Sequence, residues 1–146
     1  MNADVVIVGA GPAGIFTALE MLRRGSSKKI VMVEKGRALE KRSCPKVKTG
    51  VCMNCRPSCH ITTGFSGAGA FSDGKLSLSE EVGGNLPDYL PRQQVRELIH
   101  YCDEQYLAFG APDIVHGRND PKVEEFKYEA SKYNIQLVPC PVRHMA

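Results

Sequence analysis

No stretch of this sequence is long and apolar enough to anchor it in a membrane. The longest run poor in charge, residues 5–22, is interrupted by three glycines and Pro12, and Asp4 stands where an export signal would carry basic residues. Neither a membrane span nor a secretory leader is expected, so the expected compartment is a reducing cytoplasm. In that setting the six cysteines do not suggest a disulfide framework. Internal repeats and low-complexity tracts are also missing, which excludes a solenoid array.

What is present is ordinary for a folded domain. The chain has 146 residues, 42% of them apolar and 24% charged, enough for a single domain with its own core. The formal charge of +3 hides an asymmetry between the two halves. Residues 1–75 carry twelve Lys/Arg against five Asp/Glu, whereas residues 76–146 carry seven against eleven. A basic first half suits an anionic cofactor, a nucleic acid or an acidic partner, and charge alone does not choose among them.

Periodicity divides the chain into three stretches. In residues 1–35, "DVVIVGAG" reads as a buried strand and "PAGIFTALEMLRRG" as a helix with Ile15, Leu19 and Leu22 on one face. Arg23 and Arg24 favour the C-terminal end of that helix, and Gly25 can stop it. "KIVMVE" (29–34) is a second buried strand, which completes a strand–crossover–strand unit. Both strands are expected to be central and apolar on both faces. Residues 36–80 read as cysteine- and glycine-rich loops ending in a hairpin turned by Asp73-Gly74. Residues 81–146 read as mainly helical. One helix is expected over 91–109, with apolar positions at 95, 98, 99, 102, 106 and 109, and a second from Pro121 to about Tyr133, capped by Asp120. A strand could begin in 135–142, where Pro139 and Pro141 would break it.

Gly9-Ala10-Gly11-Pro12-Ala13-Gly14 fits G-x-G-x-x-G, and the motif sits where it has a physical job. It follows a strand, opens a helix, and is followed twenty positions after Gly14 by an acidic residue, Glu34, at the end of the next strand. Gly9 permits the tight turn, Gly11 lets the backbone approach a pyrophosphate, and Gly14 lets helix pack closely on strand. The helix N-terminus offers unpaired N–H groups and a partial positive charge to phosphates. Glu34 would accept hydrogen bonds from an adenosine ribose and repel a 2′-phosphate. A tight strand-to-helix turn without a ligand would use the same glycines, but not the acidic residue at that place.

These residues carry a family resemblance. "DVVIVGAGPAGIFTALEML…IVMVEKG" resembles the amino-terminal end of FAD-dependent oxidoreductases of the glutathione-reductase type. "RSCP…CMNC…GFSGAGAFSDGKLSLS…VGG" and "FGAPD…VPCPVRH" resemble a group of bacterial and archaeal NAD(P)/FAD-dependent oxidoreductases. The resemblance implies a Rossmann-like α/β fold and an FAD whose ADP half is held by Gly9, Ala10, Gly11, Pro12, Ala13, Gly14 and Glu34. It also puts Lys35 and Arg42 near the phosphates and the loop containing Gly67 and Gly69 along the flavin, with NAD(P)H as a candidate electron donor. Such flavoproteins run to several hundred residues. The 146-residue chain is therefore expected to be the amino-terminal portion of one, with an incomplete parallel sheet, weak or no FAD binding, a tendency to self-associate through uncovered apolar surface, and catalytic residues that cannot be named.

Cys44, Cys52, Cys55 and Cys59 are spaced x7, x2 and x3. Three readings stay open: structural thiols, a zinc or iron–sulfur ligand set, and a redox dithiol. The neighbouring basic residues favour thiolates under either chemical reading. If the cysteines bind metal, the chain could instead be a small metal module contacting nucleic acid or a protein. Residues 35–56 carry seven basic side chains against one acid, but no aromatic residue for base stacking, so a nucleic-acid partner is not expected. Cys102 reads as a core residue of its helix and Cys140 as structural. His60 reads as a loop residue, His100, His116 and His144 have no evident partner, and the acidic run 123–129 reads as a solvated helix face.

Overall fold

The computed structural model describes residues 2–145 of the chain. It falls into two compact units, one up to Ser72 and one from Asp73 onward.

The first unit begins with the strand–helix–strand arrangement read from the sequence. Strand β1 (Val5–Val8), helix α1 (Pro12–Arg23) and strand β2 (Ile30–Val33) follow in order. β1 and β2 pair in parallel with Val5 opposite Ile30 and Val8 opposite Val33, as a crossover helix allows. Asp4 fastens the start of the pair by accepting from the Lys29 N–H at 2.8 Å. α1 ends through local chemistry. Gly25 takes a φ of +72°, and the Gly25 and Ser26 N–H groups donate to Leu22 and Met21 carbonyls at 2.9 and 3.0 Å.

The strands are not covered on both faces. Side chains alternate along a strand, and α1 lies over the Ile7 side, where Gly14 approaches the Ile7 side chain. The other side of β1 is open, with Val6 58% and Val8 85% exposed. Only β1 and β2 belong to this sheet among the described residues. The apolar composition of both strands correctly marks them as strands; it does not by itself supply a second covering layer.

After β2 the chain is irregular, with a 3₁₀ turn at Leu39–Lys41, a one-turn helix α2 (Lys46–Thr49) and a 3₁₀ turn at Ala68–Phe71. What orders this region is close backbone approach. Arg37 and Gly64 form a parallel bridge, the Phe65 N–H donates to the Arg37 carbonyl at 3.3 Å and the Ser66 N–H to the Ala10 carbonyl at 2.9 Å.

In the second unit, strand β3 (Leu76–Ser77) pairs antiparallel with β4 (Val142–Arg143), Leu76 opposite Arg143. This corrects the hairpin expected at Asp73-Gly74. A type I′ turn needs positive φ at both central residues, and only Gly74 of the two has one. The Asp73 carbonyl instead accepts from the Met145 N–H at 3.0 Å, continuing the pairing with the β4 end of the chain. The strand start considered within 135–142 is likewise confined to β4, because Pro139 and Pro141 supply no N–H to a ladder.

Helix α3 (Arg92–Ala108) and helix α4 (Pro121–Ser131) lie where the sequence puts them. Asp120 caps α4, its carboxylate accepting from the Lys122 N–H at 3.0 Å. α3 buries Val95 and Asp103, while Leu98 and Phe109 of the predicted apolar set stay largely exposed. The buried Asp103 meets the equally buried Arg143 in a two-pronged ion pair, Nη2 to Oδ2 at 3.0 Å and Nε to Oδ1. Arg143 also donates to the Pro112 carbonyl at 2.7 Å. The β4 segment is thereby tied to α3 and to the loop that follows it. His144 pairs with Asp73 at 2.9 Å and His100 with Glu104 at 3.4 Å, partners that the sequence reading named for neither histidine. Among the described residues, no helix is long and apolar enough to cross a membrane.

Candidate functional site

The three glycines of the Gly9–Gly14 turn are required for different reasons. Gly9 has a φ of +102°, a conformation that favours glycine. A Cβ at Gly14 would stand 2.0 Å from the Gly9 carbonyl oxygen and 3.2 Å from the Ile7 side chain. Gly14 is thus the position where helix and strand touch. Gly11 is different: it is the N-cap of α1 with φ −82°, and a Cβ there would meet nothing within 4 Å. Its backbone faces open space, as a ligand approach requires. Pro12 follows at the first helical position, where a missing N–H costs nothing. Ala10 is fully buried, and the Ala13 carbonyl accepts from the Thr17 hydroxyl. The α1 N-terminus has neither a side-chain cap nor an acidic residue in its first turn, so its N–H groups and positive dipole end are not neutralised from within.

Glu34 closes this turn from the end of β2. One carboxylate oxygen accepts from the Ala10 N–H at 2.9 Å and the other from the Gly36 N–H at 2.8 Å. Each oxygen keeps a further acceptor site. The Ala10 and Gly36 N–H groups hold the carboxyl below the usual glutamate range, with the Lys35 and Arg42 charges adding to the effect. Glu34 therefore stays ionised at neutral pH. Lys35 is exposed beside it.

The loop from Ile61 to Gly69 lies against the same turn. Besides the Ser66-to-Ala10 hydrogen bond, a Cβ on Gly67 would come within 3.5 Å of Gly11 Cα and the Pro12 ring. Gly67 has a φ of +66°, and Gly69 accepts from Ser72 in the following turn. The structure brings Arg42 into this loop: its guanidinium donates to the carbonyls of Ile61, Phe65 and Gly67, the last at 2.8 Å. Only 5% of Arg42 is exposed. Gly36, which sequence reasoning passed over, is equally constrained, since a Cβ there would stand 2.4 Å from Gly64 Cα. A glycine following the acidic residue is a faint local sign. Its contact partner, twenty-eight residues onward, has none.

The four clustered cysteines are not joined in disulfides, with Cys52 and Cys59 exposed and Cys44 and Cys55 half-buried. Among the described residues, no group of three or more His, Cys, Asp or Glu is gathered to hold a metal ion. Cys59 stands apart chemically. The Thr62 hydroxyl, then the Ile61 and Thr62 N–H groups and the Arg42 charge, pull its pKa below that of an ordinary thiol. Cys59 lines a cavity of about 220 Å³ with Lys35, Arg37 and His60. Alkylation of Cys59, followed by peptide mapping, is therefore expected to persist to lower pH than for an unperturbed cysteine. Thr62→Val should move its profile upward. An unchanged profile in that variant would remove the Thr62 hydroxyl as the cause. Cys102 is shifted the other way, partial burial on α3 raising its pKa, although it is half-buried rather than in the core.

With this geometry in place, comparison with known proteins bears on the first part of the chain. Residues 2–53 match the FAD binding domain family. The match supports a flavin-binding part of an oxidoreductase, and the small parallel sheet with its crossover helix is consistent with a Rossmann-like fold. An uncharacterized protein of Clostridium beijerinckii is 40% identical over 77 residues, covering 53% of this chain and 14% of that protein. The chain thus spans a small fraction of the length of this curated relative. No solved structure matches.

Proposed function

We propose that this chain is the FAD-binding amino-terminal part of a flavin-dependent oxidoreductase. The observation that carries the reading is Glu34, held at the end of β2 by the N–H groups of Ala10 and Gly36. It adjoins a glycine turn that opens an uncapped helix. The residues fit a dinucleotide: Gly14 has no space for a Cβ, Gly11 faces open space, and the first turn of α1 contains no acidic residue. In this reading the N–H groups of the first α1 turn hold the pyrophosphate. The remaining acceptor sites of Glu34 take the adenosine ribose hydroxyls, and the Gly67–Gly69 loop borders the path toward the flavin. Bound FAD supplies hydride or electron transfer.

Titration of the chain with FAD, followed by flavin fluorescence and absorbance, tests the proposal. Weak but saturable binding is expected. Glu34→Arg should weaken it by about tenfold or more, the equivalent of one lost charge-assisted hydrogen bond. Because the Glu34 pKa is lowered, affinity should hold at and above the ordinary glutamate range and decline only as the pH falls through its lower value in the folded protein. Equal affinity of wild type and Glu34→Arg would overturn the ribose assignment. No binding by the wild type would overturn the FAD reading itself.

A further inference from the structure

We propose that Arg42 is a positioning residue for the nucleotide site, acting through the 61–67 loop rather than by touching the cofactor. The inference rests on the FAD reading above. A positively charged residue shortly after the acidic residue of β2 would ordinarily be assigned to the phosphates. The contacts of this arginine point elsewhere.

Arg42 leaves the 3₁₀ turn Leu39–Lys41, its own N–H donating to Leu39 at 3.1 Å. Its two terminal nitrogens are committed to the carbonyls of Ile61, Phe65 and Gly67, and the guanidinium lies 4.9 Å from the centre of the Phe71 ring. The third nitrogen, Nε, is buried with no hydrogen-bond partner. It lies against Gly64, where a Cβ would stand 3.0 Å from Nε and 2.7 Å from Cδ. The charge is thus enclosed by the loop, with its cationic face spent on backbone dipoles.

Three carbonyls separated by up to six residues cannot converge on one point unless the chain wraps around it. A planar fork with several donors can impose that wrap, and a single ammonium on a flexible stem cannot. The wrapped loop then presents the Ser66 N–H to the Ala10 carbonyl at 2.9 Å and sets Gly67 against Gly11 and Pro12. Ser66 and Gly67 hold φ values of +67° and +66°. For Ser66 this is a strained conformation that persists only when its surroundings impose it. Arg42 supplies that constraint, and through it the wall beside the phosphate-facing turn stays in place.

The test compares Arg42→Met, Arg42→Lys and the milder Phe71→Leu with wild type in two measurements. Amide hydrogen exchange reads the loop, and titration with ADP and with FAD reads the site at several salt concentrations. Expected in Arg42→Met is lost protection at Phe65 and Ser66 with β1 and β2 amides still protected, together with about tenfold or more weaker binding of both ligands. Arg42→Lys should resemble Arg42→Met despite keeping the charge, and the salt dependence of binding should match wild type in both. Phe71→Leu should show the same two effects at smaller size, and it carries the test if Arg42→Met does not fold. Retained affinity in Arg42→Lys with unchanged loop protection would mean a direct phosphate contact and overturn the proposal. So would lost protection with unchanged affinity, which leaves the FAD reading standing. A wild type that binds neither ADP nor FAD would overturn both.

Discussion

Asp103→Ala is expected to destabilise the second unit by about 3–5 kcal/mol, the cost of stranding a buried charge after removing its partner. Arg143 is 2% exposed and Asp103 7%, so the guanidinium would lose its carboxylate while still largely shielded from water. The Pro112 carbonyl would remain as a neutral acceptor, and Asp113, at 3.4 Å and exposed, would be a weak substitute. Exchange of the β3 and β4 amides, read against those of β1 and β2, locates the loss. A change below about 1 kcal/mol would mean that the pair behaves like a surface ion pair. Asp103→Leu combined with Arg143→Met should recover most of the stability, because apolar replacement of both partners removes the desolvation cost along with the attraction.

The same pair predicts a pH dependence with a defined sign. The Arg143 hydrogen bonds hold the Asp103 carboxyl below its ordinary value of 3.8. A carboxylate with a lowered folded-state pKa contributes stability that is fully present above the unfolded value. That contribution should be lost as the pH falls below about 3.8 and through the folded pKa, and the Asp103→Leu/Arg143→Met protein should lack this part of the acid response. Identical acid profiles for the two proteins would argue against it.

Gly14→Ala is expected to have the largest effect in the first unit. The added Cβ would lie 2.0 Å from the Gly9 carbonyl oxygen, a backbone atom in a turn that Glu34 holds from the other side through Ala10. Neither partner can move without separating α1 from β1. A cost of about 3 kcal/mol, at the upper end of ordinary overpacking, is expected together with loss of FAD binding. Gly11→Ala is the matching control. It has φ −82° and open space around the added atom, so stability should fall by no more than about 1 kcal/mol, the ordinary cost of alanine at an N-cap. FAD affinity should nevertheless decline, because the methyl group would occupy the approach to the α1 N-terminus. Unchanged affinity in a stable Gly11→Ala protein would show that the ligand does not approach there.

The first thirty-odd residues were legible because every signal in them is local. Glycine conformation, a helix N-terminus, strand composition and the spacing from Gly14 to Glu34 are all properties of neighbouring residues, and the strand–crossover–strand unit follows from them. The helices α3 and α4 and the Asp120 cap were legible for the same reason. Contacts across long stretches of chain were not. Gly36 meets Gly64, Ser66 meets Ala10, and Leu76 pairs with Arg143, and none of these leaves a periodicity in the sequence. The hairpin at Asp73-Gly74 was misread because a turn dipeptide reports its preference and not the partner available to the strand beside it. Arg42 is the clearest case. Its residue type and place after Glu34 mark a cation close in sequence to the proposed nucleotide turn, and the family resemblance assigned it to the phosphates. That the charge is turned inward on three carbonyls was decided only by the tertiary structure, because a buried guanidinium takes its direction from whichever backbone acceptors the folded loop brings within reach.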